Sequence, residues 1–186
     1  MKQKMKHIAI LLFSIALIAC NNNSTENKTS TNQSTTLTSE NDSTIFIAEI
    51  SGGVISFVAD STTLRNDWQN FISNQPDLEL CQLNKIEILS GVDSSGANKF
   101  YLIVSGVMNN ENMKSTLELE QEGSNCLVVI GYTLTCTTKA CASEDLGCVP
   151  KVTSCSPCGN KGLCTKTISN SPTAIFPSVA PSTCPN

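Results

Sequence analysis

Seven cysteines, Cys136, Cys141, Cys148, Cys155, Cys158, Cys164 and Cys184, crowd the C-terminal part of this chain, and no other feature restricts its folding so strongly. Their density, about one residue in seven, exceeds what marks a disulfide scaffold. Around them stand mainly Thr, Ser, Lys, Gly and Pro, with few large apolar side chains to bury. A segment of that kind holds a shape only through cross-links or a bound metal. Three chemistries are open to it: a metal site, a redox centre on Cys155-Ser156-Pro157-Cys158, or a set of structural disulfides. A thiol's fate depends on its compartment, so the other end of the chain bears on the choice.

The N-terminus reads MKQKMKHIAILLFSIALIAC. Lys2, Lys4 and Lys6 make a positive region, and the apolar core from Ile8 to Ile18 has the length of a secretory signal, too short for a stable membrane span. It closes on Leu17-Ile18-Ala19-Cys20, which resembles the lipobox of bacterial lipoproteins. The resemblance implies removal of residues 1–19 as a signal peptide. It also implies a covalent diacylglycerol and an N-acyl chain such as palmitate on Cys20. Several acyl chains on one residue make a stable anchor. Asn21 stands where that family's inner-membrane retention signal has aspartate, so the resemblance implies an outer-membrane anchor, with the protein periplasmic or surface-exposed. Residues 20–43 then comprise the lipidated cysteine and an Asn/Ser/Thr tether without enough apolar surface to order itself; its expected span is about 25 Å.

Export changes the charge balance. All sixteen acidic residues but only nine of the twelve basic ones remain after the signal, a formal charge of −7. Without a basic cluster, such a chain is unsuited to nucleic acid. The single histidine, His7, lies in the signal. The remainder therefore supplies no imidazole for a Ser-His-Asp or Cys-His centre, nor for a zinc or copper site. No cofactor is expected beyond the acyl groups on Cys20.

Residues 44–135 read as one α+β domain, and 136–186 as an irregular, disulfide-rich extension. Thr44–Ile50 and Val54–Val58 are strands joined at Gly52-Gly53. Asp60 offers an N-cap to a helix that ends before Pro76; Leu64, Trp68, Phe71 and Ile72 form its apolar stripe, with Arg65, Asp67 and Gln69 on the solvent side. Lys85–Val92, Lys99–Val107, Lys114–Gln121 and Cys126–Thr135 then read as an antiparallel meander under the helix. This order resembles the cystatin-like architecture. The nearest match to that family's Gln-x-Val-x-Gly inhibitory loop is Leu102-Ile103-Val104-Ser105-Gly106, which lacks the glutamine and sits in an apolar strand, so protease inhibition does not carry over.

Among possible sites, Glu118, Glu120 and Glu122 read as the solvated face of a strand. Asp93–Asn98 reads as a tight turn, because Ala97 stands where a calcium loop needs an oxygen. A four-thiolate metal site wants two C-x-x-C pairs, and only Cys155-Ser156-Pro157-Cys158 is present, so metal is not expected. That motif resembles thioredoxin-type centres, but no helix follows it, which leaves redox chemistry through Cys155 and Cys158 as the alternative to structural disulfides. In a four-strand meander Cys81 and Cys126 enter at opposite ends of the sheet, too far apart to bond. Nine cysteines follow Cys20, an odd number, and Cys126 is the expected free thiol. The leading functional expectation is a non-enzymatic binding or structural module with a protein or glycan partner.

Overall fold

The computed structural model describes residues 44–185 apart from 77, 79, 80 and 94; the expected signal, the lipobox cysteine and the tether lie outside the described residues. The first strand, β1 (Ile45–Ser51), turns at Gly52-Gly53, both at positive φ, into β2 (Val54–Phe57). Helix α1 (Ser61–Ser73) follows. Asp60 caps it by accepting the amide of Thr63 at 2.7 Å, and the hydrogen bond from the Thr63 hydroxyl, followed by that amide bond, holds its carboxyl below the usual carboxylate range.

Three long strands come next: β3 (Cys81–Val92), β4 (Asn98–Met108) and β5 (Glu111–Glu122). The turn between β3 and β4 is closed by Asp93, whose carboxylate accepts the amides of Ser95 and Ala97 at 2.8 and 3.1 Å. Asn109 and Asn110 close the next hairpin at φ of 53° and 64°, a conformation that asparagine tolerates better than most residues.

The apolar run expected as one strand, Cys126–Thr135, is two: β6 (Cys126–Val129) and β7 (Thr133–Thr138). Gly131, at φ 57°, breaks it and lets the chain change partner. Along one edge β5 pairs with β4. Along the other, Glu120–Glu122 pair with β6 and Lys114–Leu117 pair with β7. The sheet therefore forks at β5. One branch continues through β6 to β1 and β2; the other continues from β7 to β10 (Thr165–Ser169).

Alternation gives the sheet two differently covered faces. Leu102, Val104, Met113, Leu117 and Leu119 join Leu64, Trp68 and Ile72 of α1 in the main core. On the opposite face Tyr101 and Ile103 pack with Val149 of the cysteine-rich segment. That segment carries a small hairpin, β8 (Pro150–Lys151) and β9 (Ser154–Cys155). The structure is thus mixed, a helix on an antiparallel sheet with a disulfide-rich C-terminal region, as the sequence led us to expect.

The C-terminal chain is more deeply integrated than its composition suggests. The division placed between 135 and 136 falls inside β7, and β10 pairs with β7 over five residues. The short helix α2 (Pro172–Ile175) leads to Phe176, and both Ile175 and Phe176 are fully buried in the main core. Phe176 meets Trp68 edge-to-face, with centroids 5.8 Å apart. This placement corrects one expectation about α1. Asp67 is buried, not solvated, because its carboxylate accepts the amide and hydroxyl of Ser178, each at 2.8 Å. Gln69 is also occupied, accepting the amide of Leu83 at 2.8 Å.

Candidate functional site: a cleft between the sheet and the stapled lobe

Four disulfides fix the cysteine-rich segment: Cys136–Cys155, Cys141–Cys158, Cys148–Cys164 and Cys126–Cys184, with Cα separations of 5.6 to 6.1 Å. The first three close loops of 16 to 19 residues, each worth about 3 kcal/mol on the chain-entropy account. Their sulfurs form the lobe's own small core with Leu134. Cys126 is therefore not the free thiol. It bonds to Cys184 because the end of the chain returns to the far side of the β1–β6 branch, where Phe46 and Val128 pack beside that bridge. Cys81 is free and buried instead, and burial raises its pKa. Cys81 and Cys126 do lie at opposite ends of the sheet: Cys81 pairs with Met108, which pairs with Glu111 at one end of β5, whereas Cys126 pairs with Glu122 at the other.

The two cysteines of Cys155-Ser156-Pro157-Cys158 bond to different partners and not to each other. The Sγ atoms of Cys136, Cys155 and Cys164 lie within 4.8 Å of one another, but all three are in disulfides, so that cluster presents no thiolate to a metal.

Polar anchors fasten the lobe to the sheet. Thr116 on β5 donates its hydroxyl to the carbonyl of Cys148 at 2.8 Å. Lys114, also on β5 and fully buried, donates to the carbonyls of Glu144 and Asp145. Desolvation holds the Lys114 ammonium below the usual lysine range. Ser156 ties the base of the hairpin: its hydroxyl accepts the Val149 amide at 2.8 Å, and its own amide donates to the Val149 carbonyl at 2.8 Å.

Between the docked lobe and the sheet lies a cleft of about 500 Å³. Its sheet side carries Lys99 and Tyr101 of β4 and Glu118 of β5; its lobe side carries Leu146, Pro150 and Val152. Register explains the sheet side, since Tyr101 pairs with Glu118 and Lys99 lies two residues along on the same face. Lys99 and Glu118 form an ion pair, and this hydrogen bond raises the Lys99 pKa. Burial, then the Glu118 charge, raises that of Tyr101. A second groove of about 240 Å³ shares Lys99, Glu118, Pro150 and Val152 with the first and adds Glu120 and Tyr132. Glu122 lines neither groove.

The hairpin tip is unusual. Val152 is 98% exposed and sits at φ 33°, a conformation that a β-branched residue adopts only under strain. Among the described residues eight large hydrophobic side chains stand exposed, and four of them, Val92, Tyr132, Leu146 and Val152, line these grooves. In the sequence Glu118 and Glu120 read as solvated charges, and Lys99, Tyr101, Tyr132 and Val152 carry no motif that marks them as a site. The available signal was Val152-Thr153, an apolar residue in a two-residue turn where glycine or asparagine is usual.

The arrangement can bind a ligand in a preformed, partly apolar cleft with a few fixed polar groups. No family model, no curated protein and no solved structure matches this chain.

Proposed function

We propose that this chain is a lipid-anchored envelope lipoprotein, held in the outer membrane through acylated Cys20, whose folded part is a non-enzymatic binding module. The signal-like N-terminus and Leu17-Ile18-Ala19-Cys20 support the anchor. Four disulfides fit an oxidising, extracytoplasmic compartment. The observation that carries the binding role is the stapled hairpin that projects exposed, strained Val152 over the cleft. Folding alone gives no reason to keep an apolar side chain there, and strain of that kind persists where surrounding structure enforces it and function uses it. The thiol–disulfide oxidoreductase reading through Cys155 and Cys158 gains no support from the bonding, because the motif's two sulfurs are not partners.

Both parts are testable in cells. Metabolic labelling with an alkynyl palmitate is expected to mark the wild-type protein and not Cys20→Ser, and equal labelling would contradict the anchor. For the cleft, a benzophenone amino acid placed at Val152 inserts into C–H bonds of whatever occupies it. Irradiation of intact cells should give a discrete adduct at that position and none at Val54, which is also exposed. Equal yields at both positions, or none at Val152, would remove the cleft from the account.

A further inference from the structure

The two grooves meet over Lys99, Glu118, Pro150 and Val152, so the hairpin tip stands above a single trough with Val92 and Leu146 toward one end and Tyr132 toward the other. The floor of this trough is mainly the face of a sheet, and β5 lacks a second strand partner only at Glu118 and Leu119, where β6 and β7 diverge. The backbone groups of β4 and β5 are committed to their own ladder from Phe100–Leu119 to Met108–Glu111. Polar contacts to a ligand must therefore come from side chains, chiefly Lys99, Glu118 and Glu120.

That floor selects among ligand chemistries. An extended peptide brings an N–H and a C=O at every residue and binds best where a free strand edge can pair with them; the two residues Glu118 and Leu119 left open at the fork are too short an edge to hold a strand. A strongly ionised ligand meets charges of both signs, the Lys99–Glu118 ion pair with Lys151 and Asp93 in the first groove and Glu120 in the second, so neither sign is favoured. A neutral polyol needs neither concession. Each hydroxyl both donates and accepts, so it can bond to carboxylate oxygens while the ion pair stays intact. The C–H face of a sugar ring is apolar and flat, and it suits an exposed aromatic ring beside aliphatic and proline side chains. Tyr132, 80% exposed, supplies the ring, and exposed Val152 supplies the aliphatic neighbour, with buried Pro150 in the wall beside it.

From this juxtaposition we infer that the trough binds a neutral oligosaccharide, with Tyr132 as the platform for one sugar ring and Glu118 and Glu120 accepting hydroxyl donors from its neighbour. The inference rests on the reading of the trough as the binding site.

The test uses the full chain in detergent, applied to an array of neutral oligosaccharides built from hexoses and N-acetylhexosamines in both anomeric linkages. Positives are titrated by calorimetry, and a displayed library of random peptides is screened in parallel. Capture of at least one oligosaccharide is expected, with affinity falling up to about tenfold in Tyr132→Ala and lost in Val152→Asp. Both positions are exposed, so both variants should keep the wild-type circular dichroism spectrum. Absence of oligosaccharide capture, or capture unchanged in both variants, overturns the inference. Peptide capture that is lost in Val152→Asp, without sugar capture, overturns the sugar assignment and leaves the binding module standing. Failure of both screens together with no photo-adduct at Val152 overturns both readings.

Discussion

Replacing Phe176 by alanine is expected to destabilise the protein by about 3–5 kcal/mol, the usual loss for a large aromatic removed from a core. The residue comes from a stretch, SPTAIFPSVAPST, with nothing in its composition to mark it as core. Yet its ring is fully buried against Trp68, at 89° to the indole plane, and Ile175 is buried beside it. The indole N–H of Trp68 has no hydrogen-bond partner among the described residues, so its environment is dominated by packing of this kind. A domain of this size is stable by only about 5–15 kcal/mol. With the disulfides intact, the urea midpoint followed by circular dichroism should fall by about 1–3 M. Trp68 is the only tryptophan, and its emission should shift to longer wavelength at lower urea in the variant. An unmoved midpoint would mean that the C-terminal chain merely lies on the surface.

Gly106→Ala is the second large expected effect, and it acts through the backbone. Gly106 on β4 pairs with Leu83 on β3, at the point where the β3 register shifts between Leu83 and Lys85. A Cβ at position 106 would fall 2.0 Å from the carbonyl oxygen of Gln82 and 2.8 Å from the Cα of Leu83. Neither obstacle is the end of a flexible side chain, and β3 is paired with β4 from Cys81 to Val92, so relief requires moving a strand. Overpacking usually costs about 1–3 kcal/mol, and backbone overlap belongs at or above the top of that range. The melting temperature should fall by about 10 °C, and a wild-type value would contradict the close approach of the two strands. The role of Gly106 is to let the bulged strand come near.

What was legible in the sequence was local. Asp60 before an apolar stripe at helical spacing marked α1, and Gly52-Gly53 marked the first hairpin because glycine tolerates positive φ. Leu117 and Leu119 alternating with Glu118 and Glu120 showed which way β5 faces. The cysteine density marked the stapled region. What remained hidden depends on contacts distant in sequence. Asp67 looks solvated until Ser178 arrives from the far end of the chain. Cys126 looks unpaired until the same segment carries Cys184 to it. Lys114 would ordinarily be read as a surface charge, and only the lobe's carbonyls account for its burial. The cleft itself belongs to no single segment, since one wall is strand alternation and the other is a hairpin docked by disulfides.

The bonding pattern carries the whole account, because it holds the lobe on the sheet and raises Val152 above the trough. Alkylating the folded protein, digesting it without reduction and mapping the bridged peptides by mass spectrometry reads that pattern directly. The expected result is four linkages, Cys126–Cys184, Cys136–Cys155, Cys141–Cys158 and Cys148–Cys164, with Cys81 modified only after denaturation. A Cys155–Cys158 bond that opens under mild reductant, while the others persist, would contradict it and make the motif a redox centre in place of a staple.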